Sequence, residues 1–289
     1  MSAPGALRPR RRSLAALLTA SGGAVLLGGC GGPSPVPTSA QVARDPLAAL
    51  DAAHWDARSA EELRALPLQG AAEELETWAD LGAEDSAVDT AREQLTGFLG
   101  AAYLDPSALR GLSDQDALDH VSSATPEFWR DALHEAWGGG DRTFYALALA
   151  EPFRSVGRPA ICADWFRTEG DGGPALALGT TIAWTAIDTS TRAVGVLACR
   201  LGIVVDLDAQ GGLSAGTVRL TLHGLDGCAM GEHEGLLVPA LADDDRHRAV
   251  QQATREQILD APRIPLADLL DEDSALFAGD EEKIGRAHV

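Results

Sequence analysis

The fold is decided by two apolar stretches, P-A-L-A-L-G-T-T-I-A-W-T-A-I at residues 174–187 and A-V-G-V-L-A-C-R-L-G-I-V-V-D-L at residues 193–207. In both stretches large apolar side chains recur at every second position, which is the period of a β-strand. The same alternation predicts flanking strands at about 158–168 and 214–225. Turn residues separate the four segments, so the sequence predicts an antiparallel meander.

The alternation also assigns the two faces of this sheet. Leu178, Trp184 and Leu201 belong to a face of large apolar residues, whereas the opposite face carries mainly small or polar ones. Arg200 interrupts that second face and requires a carboxylate or solvent; Asp164 on the first predicted strand is the candidate partner. We expect His223 to lie on the exposed face of its strand.

Three helices are predicted before the strands. Apolar residues at steps of three and four over 86–104 indicate the first helix, and Asp105-Pro106 ends it. Ser113 and Asp116 resemble a capping box that opens the second helix. In the third, Thr125 is the expected cap and Pro126 the first helical residue, with the helix ending at Gly138-Gly139-Gly140.

The N-terminus has the features of an exported protein. A cluster of arginines precedes an apolar core of only 14 residues, Leu14 to Leu27. A membrane-spanning helix needs about 20 apolar residues, so the pattern favours a signal peptide. The segment that follows the core, Leu27-Gly28-Gly29-Cys30, resembles the lipobox of bacterial, actinobacterial-type lipoproteins.

In that family the cysteine sulfur receives a diacylglyceryl group and cleavage occurs just before it. The resemblance implies that Cys30 is lipidated and that the membrane, through this anchor, is a partner of the protein. The implied location is the extracytoplasmic face of the cell membrane. An ordinary cleaved signal followed by a coincidental cysteine is the alternative.

The export route is left open by the residues before the apolar core. Arg11-Arg12-Ser13-Leu14 resembles a twin-arginine signal, although Arg10 adds a third arginine and Leu14 stands where phenylalanine is usual. A generic basic leader explains the same residues.

The other end of the chain carries a different resemblance. Ile284 to Val289, I-G-R-A-H-V, resembles the translation of a sequencing adapter. We therefore expect these six residues to be an artefact and the natural C-terminus to be missing, and we leave them out of the chemistry.

The order of elements, three helices followed by long antiparallel strands, resembles the NTF2-like (SnoaL-type) α+β cone. That resemblance implies helices packed on a curved antiparallel sheet around a pocket, which hosts enzymes in some members and binding or assembly in others. The expected organisation is a signal peptide at 1–29, a Pro/Ser-rich tether at 30–46, a helical prefix at 47–85, the α+β domain at 86–230, a truncated acidic helical segment at 231–283 and the artefact at 284–289.

Charge and cysteine content limit the partners. The formal charge of −20 becomes −24 when the leader is removed, because its four arginines leave with it. Such a balance repels phosphate backbones, so nucleic acid is not an expected partner.

An exported location permits disulfides, and Cys162 with Cys199 is the preferred pair because both lie in predicted strands. Cys228 is then left over.

The motifs in the body of the chain do not make up a catalytic set. Gly212 to Gly216 matches G-x-S-x-G, but an alternating strand follows the serine where a nucleophile elbow needs a helix. Asp206 to Gly211 begins like a calcium loop but lacks the final glutamate, and His223, Cys228 and His233 are too few for structural zinc. We therefore expect neither a metal nor a cofactor.

A small-molecule pocket needs aromatic walls and a few polar groups. The candidate pocket residues are Trp129, Tyr145, Asp164, Trp165, Trp184 and Arg200. The alternative is that the aromatic residues fill the core.

Three functions stay open: non-enzymatic binding of an unknown small molecule or protein by an anchored lipoprotein, an NTF2-like enzyme with Asp164 as acid or base, and a structural module that assembles in the envelope through its sheet.

Overall fold

The computed structural model describes residues 18–20, 46–47, 50, 54–70, 74–79, 84–139, 142, 145–170, 173–208, 212–233, 236–241 and 244–277. In chain order the elements are β1 (Leu18–Ala20), α1 (Ala60–Arg64), β2 (Leu68–Gln69), α2 (Glu76–Ala79), α3 (Glu84–Ala102), α4 (Asp114–Ala124), α5 (Glu127–Gly138), β3 (Phe153–Glu169), β4 (Pro174–Asp188), β5 (Val194–Leu207), β6 (Leu213–His223), α6 (Gly227–Met230), α7 (Asp245–Thr254), a π-helical turn (Arg255–Leu259) and α8 (Leu266–Leu270). Cys30 and the predicted tether apart from Pro46 lie outside the described residues, as does the predicted signal peptide apart from β1.

The predicted meander is confirmed. Strands β3 to β6 pair antiparallel in sequence order, with Trp184 opposite Leu197 and Leu201 opposite Leu220. The sheet order is β1-β6-β5-β4-β3-β2, and the two short outer strands pair in parallel with their neighbours. The protein therefore has an α+β fold with a mixed sheet. The parallel edge strands were not predicted, because two or three residues are too few to show a period.

The helix starts follow their local chemistry, with one correction. Ser113 caps α4, because its Oγ accepts the Asp116 N–H at 3.1 Å, as the capping box predicts. The prediction that Thr125 caps α5 is wrong. The Thr125 hydroxyl donates to the Val121 carbonyl at 2.8 Å and so closes the end of α4, while Pro126 occupies the cap position of α5 without a side-chain bond.

The main core lies between the helices and the face of the sheet that carries the large apolar residues. It combines residues of α1, α3, α4 and α5 with the alternating positions of β3 to β6. Phe98, Leu133 and Ile182 are fully buried in it. The faces that the sequence assigns to β4, β5 and β6 are confirmed by the strand register.

The second face of the sheet is also covered. Residues 255–277, which we call the C-terminal strap, pack on it through Ile258, Ile264 and Phe277. Helix α7 lies beside the strap, where Gln251 donates to the Val196 carbonyl of β5 at 3.0 Å. Gly179 and Gly202 make room for this layer, since a Cβ at Gly202 would lie 2.8 Å from the Phe277 ring. The expectation that His223 is exposed is therefore wrong: only 7% of its surface is accessible.

Candidate functional site

The six predicted pocket residues do not line one pocket. Trp129, Tyr145, Trp165 and Trp184 are buried in the main core on the helical side of the sheet. The indole N–H groups of Trp165 and Trp184 donate to the Leu63 and Leu104 carbonyls at 2.9 and 3.1 Å. Asp164 and Arg200 lie at register positions of the opposite face, so the sheet separates them from the aromatic residues. The prediction of a shared pocket is wrong, and these aromatic residues fill the core.

The predicted Asp164–Arg200 pair is also wrong, because the C-terminal strap supplies a partner to each. Arg263 donates to both carboxylate oxygens of Asp164, at 2.7 and 2.6 Å, and this bond raises the pKa of Arg263. Arg200 donates to the main-chain carbonyls of Gln257 and Ala261 at 2.9 and 2.8 Å. Burial lowers the pKa of Arg200.

Asp164 binds the strap to the sheet and is poorly placed for proton transfer. Its Oδ1 also accepts a hydrogen bond of 2.6 Å from Gln69, so both oxygens are occupied. Asp56 also lies near Arg263, 3.6 Å from the guanidinium, and burial raises the pKa of Asp56. The cluster joins the segment around β2, the sheet and the strap.

Cys162 and Cys199 are free thiols, so the predicted disulfide is wrong. Cys162 lies opposite Thr181 and Cys199 opposite Ile182, on the two sides of β4 and on different faces. Two strand spacings separate them by about 10 Å, beyond the reach of a disulfide. Burial raises the pKa of Cys162 to about 12 and raises that of Cys199 further, so both are unreactive thiols. Cys228 is exposed.

The serine of the G-x-S-x-G motif has strand geometry. Ser214 lies in β6, so the segment from Gly212 to Gly216 leads into a strand and forms no nucleophile elbow. Within the described residues, no group of three or more histidine, cysteine or acidic side chains could hold a metal ion. No helix in the same part of the chain has the length and apolar character to cross a membrane.

A cleft of about 170 Å³ opens beside α4 and α5, and we call it the Trp137 cleft. Residues 109–112 before α4, Arg142, residues between 146 and 151 before β3, and Leu236 form its other walls. Its lining residues are Leu109, Arg110, Gly111, Leu112, Asp114, Ala117, Trp137, Arg142, Ala146, Ala148, Leu149, Glu151 and Leu236.

Three nitrogen donors of the Trp137 cleft are buried without an acceptor among the described residues: Trp137 Nε1, Arg110 Nε and Arg142 Nε. Each arginine does pair through its terminal nitrogens, Arg110 with Glu151 at 3.1 Å and Arg142 with Asp114 at 2.9 Å. Four side-chain nitrogens outside the cleft are also buried without an acceptor in the described part of the chain, namely Arg92 Nε, Trp129 Nε1, Arg167 Nε and Arg200 Nε. Buried donors are normally satisfied, so the three in the cleft are positions where an added acceptor would be favourable.

A second cleft of about 330 Å³ lies around Asp226. The Asp226 carboxylate accepts the backbone N–H of Cys228 at 3.1 Å, and its other oxygen lies 3.0 Å from His247 Nε2. Burial acts to raise the pKa of Asp226, but the bonds from His247 and the backbone outweigh it and the pKa is lowered. Arg246 also donates to Asp226. These contacts join α6 to α7, so the polar groups here serve packing.

Comparisons with models of protein families, with curated proteins and with solved structures find no match to this chain. The assignment of the candidate site therefore depends on the geometry of the protein itself. Sequence reasoning missed Arg110 and Arg142, because single arginines in turns are usually solvated. The one available indication was Trp137, whose position at helical spacing in α5 is equally typical of a core residue.

Proposed function

We propose that this protein is a membrane-anchored extracytoplasmic lipoprotein whose α+β domain binds a ligand or a partner without catalysing a reaction. The anchor is supported by Leu27-Gly28-Gly29-Cys30 and the basic, apolar leader before it. Two acyl chains on Cys30 give stable attachment, since each buried methylene contributes about 0.8 kcal/mol.

The observation that supports ligand binding, the second part of this proposal, is the Trp137 cleft. It combines apolar walls with buried donors that lack acceptors in the described part of the chain. A concave, mostly apolar site with a few polar groups is typical of small-molecule binding. Proton transfer by Asp164 has less support, because Arg263 and Gln69 occupy its oxygens.

The NTF2-like relationship belongs to this proposal. It is supported by the order of elements, in which α3, α4 and α5 precede the four-strand meander. The covering of the second sheet face by the strap is an addition to that plan. It also argues against assembly through an open sheet face.

The anchor is tested by fractionating cells that express the full chain or its Cys30→Ala variant. We expect the wild-type protein in the membrane fraction, resistant to carbonate washing, and the variant released from it. Cys228→Ala is the matched control, because it removes an exposed cysteine of the domain and leaves the lipobox intact. Tight membrane attachment of Cys30→Ala, or an unmodified Cys30 thiol by mass spectrometry, would refute the proposal.

A further inference from the structure

The Trp137 cleft has an apolar interior and a charged mouth. Leu109, Ala117 and Leu149 are buried residues of its wall, and Trp137 is 6% exposed. The exposed side chain of Leu112 extends the apolar surface outward. The volume of about 170 Å³ is that of a small organic molecule with one ring or a short branched chain.

The polar groups of the cleft favour one kind of ligand. Among the residues that line the cleft, the buried side-chain atoms that lack partners in the described part of the chain are all donors, namely Trp137 Nε1 and the Nε atoms of Arg110 and Arg142. A donor-only set is complementary to an acceptor-only group, and a carboxylate is the smallest organic group of that kind.

The two carboxylates at the mouth do not prevent such binding. The Asp114 and Glu151 side chains are 70% and 79% exposed, whereas those of Arg142 and Arg110 are only 21% and 28% exposed. Exposed ion pairs contribute little, so Asp114 and Glu151 can turn into solvent at small cost. The arginines, held against the wall, then face the ligand.

We propose that the Trp137 cleft binds a small organic monocarboxylate with an apolar body, its carboxylate on Arg110 and Arg142 and its body against Trp137 and Leu149. This inference rests on the proposed binding function and names its ligand class. An inorganic anion would leave the apolar interior unfilled, and a neutral isostere would leave the arginines facing an amide.

The probe pair is benzoate and benzamide, which have the same shape and differ in charge, with inorganic phosphate as an anion that has no apolar body. Binding to the purified full chain is measured by ligand-observed NMR and isothermal titration calorimetry. We expect benzoate to bind at least about tenfold more tightly than benzamide or phosphate.

Two pairs of variants locate the site. Trp137→Phe keeps the ring but removes the N–H, and we expect it to weaken benzoate about threefold to tenfold. Trp129→Phe removes another buried indole N–H without an acceptor in the described residues, outside the cleft, and should leave binding unchanged. Arg142→Met should weaken benzoate about tenfold or more. Arg158→Met, at an exposed ion pair with Glu62, is its control.

Thermal unfolding of each variant separates loss of the site from loss of the fold. The inference is overturned if benzoate does not bind to folded wild-type protein, if benzamide binds equally well, or if Trp137→Phe and Arg142→Met bind benzoate like their controls. Any of these results leaves the anchor untouched, because Cys30→Ala tests it by fractionation without a ligand.

Discussion

The sharpest consequence of the covered second face concerns His223, the last residue of β6. Its side chain is 7% exposed, and Nε2 lies 3.3 Å from the Thr221 hydroxyl. Burial lowers the pKa of His223 to about 4, and the nearby charge of Arg200 acts in the same direction. The folded protein therefore keeps a neutral imidazole at pH values where the unfolded chain carries a charged one.

The sign and size of the effect follow from proton linkage. Between pH 6.5 and about pH 4 the unfolded state binds a proton at His223 that the folded state does not, so the free energy of unfolding decreases as pH falls. With these two pKa values the loss between pH 7.5 and 4.5 is on the order of 2–3 kcal/mol from this one residue.

Urea denaturation at pH 7.5 and 4.5 measures this loss. His223→Gln keeps a polar side chain but cannot titrate, so its stability should change with pH by roughly 2–3 kcal/mol less than that of the wild type. His120→Gln, at an exposed position of α4, is the control and should retain the wild-type pH dependence. If His223→Gln and the wild type lose the same stability on acidification, His223 is not buried as described.

Two further predictions test the packing. Gly202→Ala places a Cβ 2.8 Å from the Phe277 ring and should lower the free energy of unfolding, measured by chemical denaturation, by about 1–3 kcal/mol. Gly97→Ala, with no atom within 4 Å of the new Cβ, should raise the free energy of unfolding by about 0.5–1 kcal/mol. Equal shifts for the two variants would contradict the strap contact. Iodoacetamide followed by peptide mapping should modify Cys228 in the folded protein and reach Cys162 and Cys199 only after unfolding; a Cys162–Cys199 cross-linked peptide would contradict the structure.

The sheet could be predicted because its signal is repeated. Four strands of eleven or more residues alternate in the same sense, so the faces of Leu178, Trp184 and Leu201 follow from the sequence. The second face was harder to interpret, since Ala177, Gly179 and Ala183 fit exposure as well as they fit close packing. Their small size is in fact what admits the strap.

The Trp137 cleft could not be predicted from periodicity. Arg110 lies in the turn before α4, and Arg142 follows α5, so 32 positions separate two residues that line the same cleft only in the folded chain. No helical or strand spacing relates them. The predicted pocket was wrong because it combined residues that are close in sequence but lie on different faces. Trp165 and Asp164 are adjacent in β3, so their side chains point to opposite faces of the sheet.

The strap itself is held by contacts that a sequence pattern does not show. Arg200 and the half-buried Arg219 project from the second face, and burial lowers the pKa of both. Their acceptors are main-chain carbonyls of the strap, including Asp268 at 2.9 Å from Arg219. Thr181 adds a bond of 2.5 Å to the Pro262 carbonyl. A carbonyl is supplied by every residue type, so these donors fix the path of the strap while requiring little of its side chains. This explains why a segment without periodicity packs on the sheet as a defined layer.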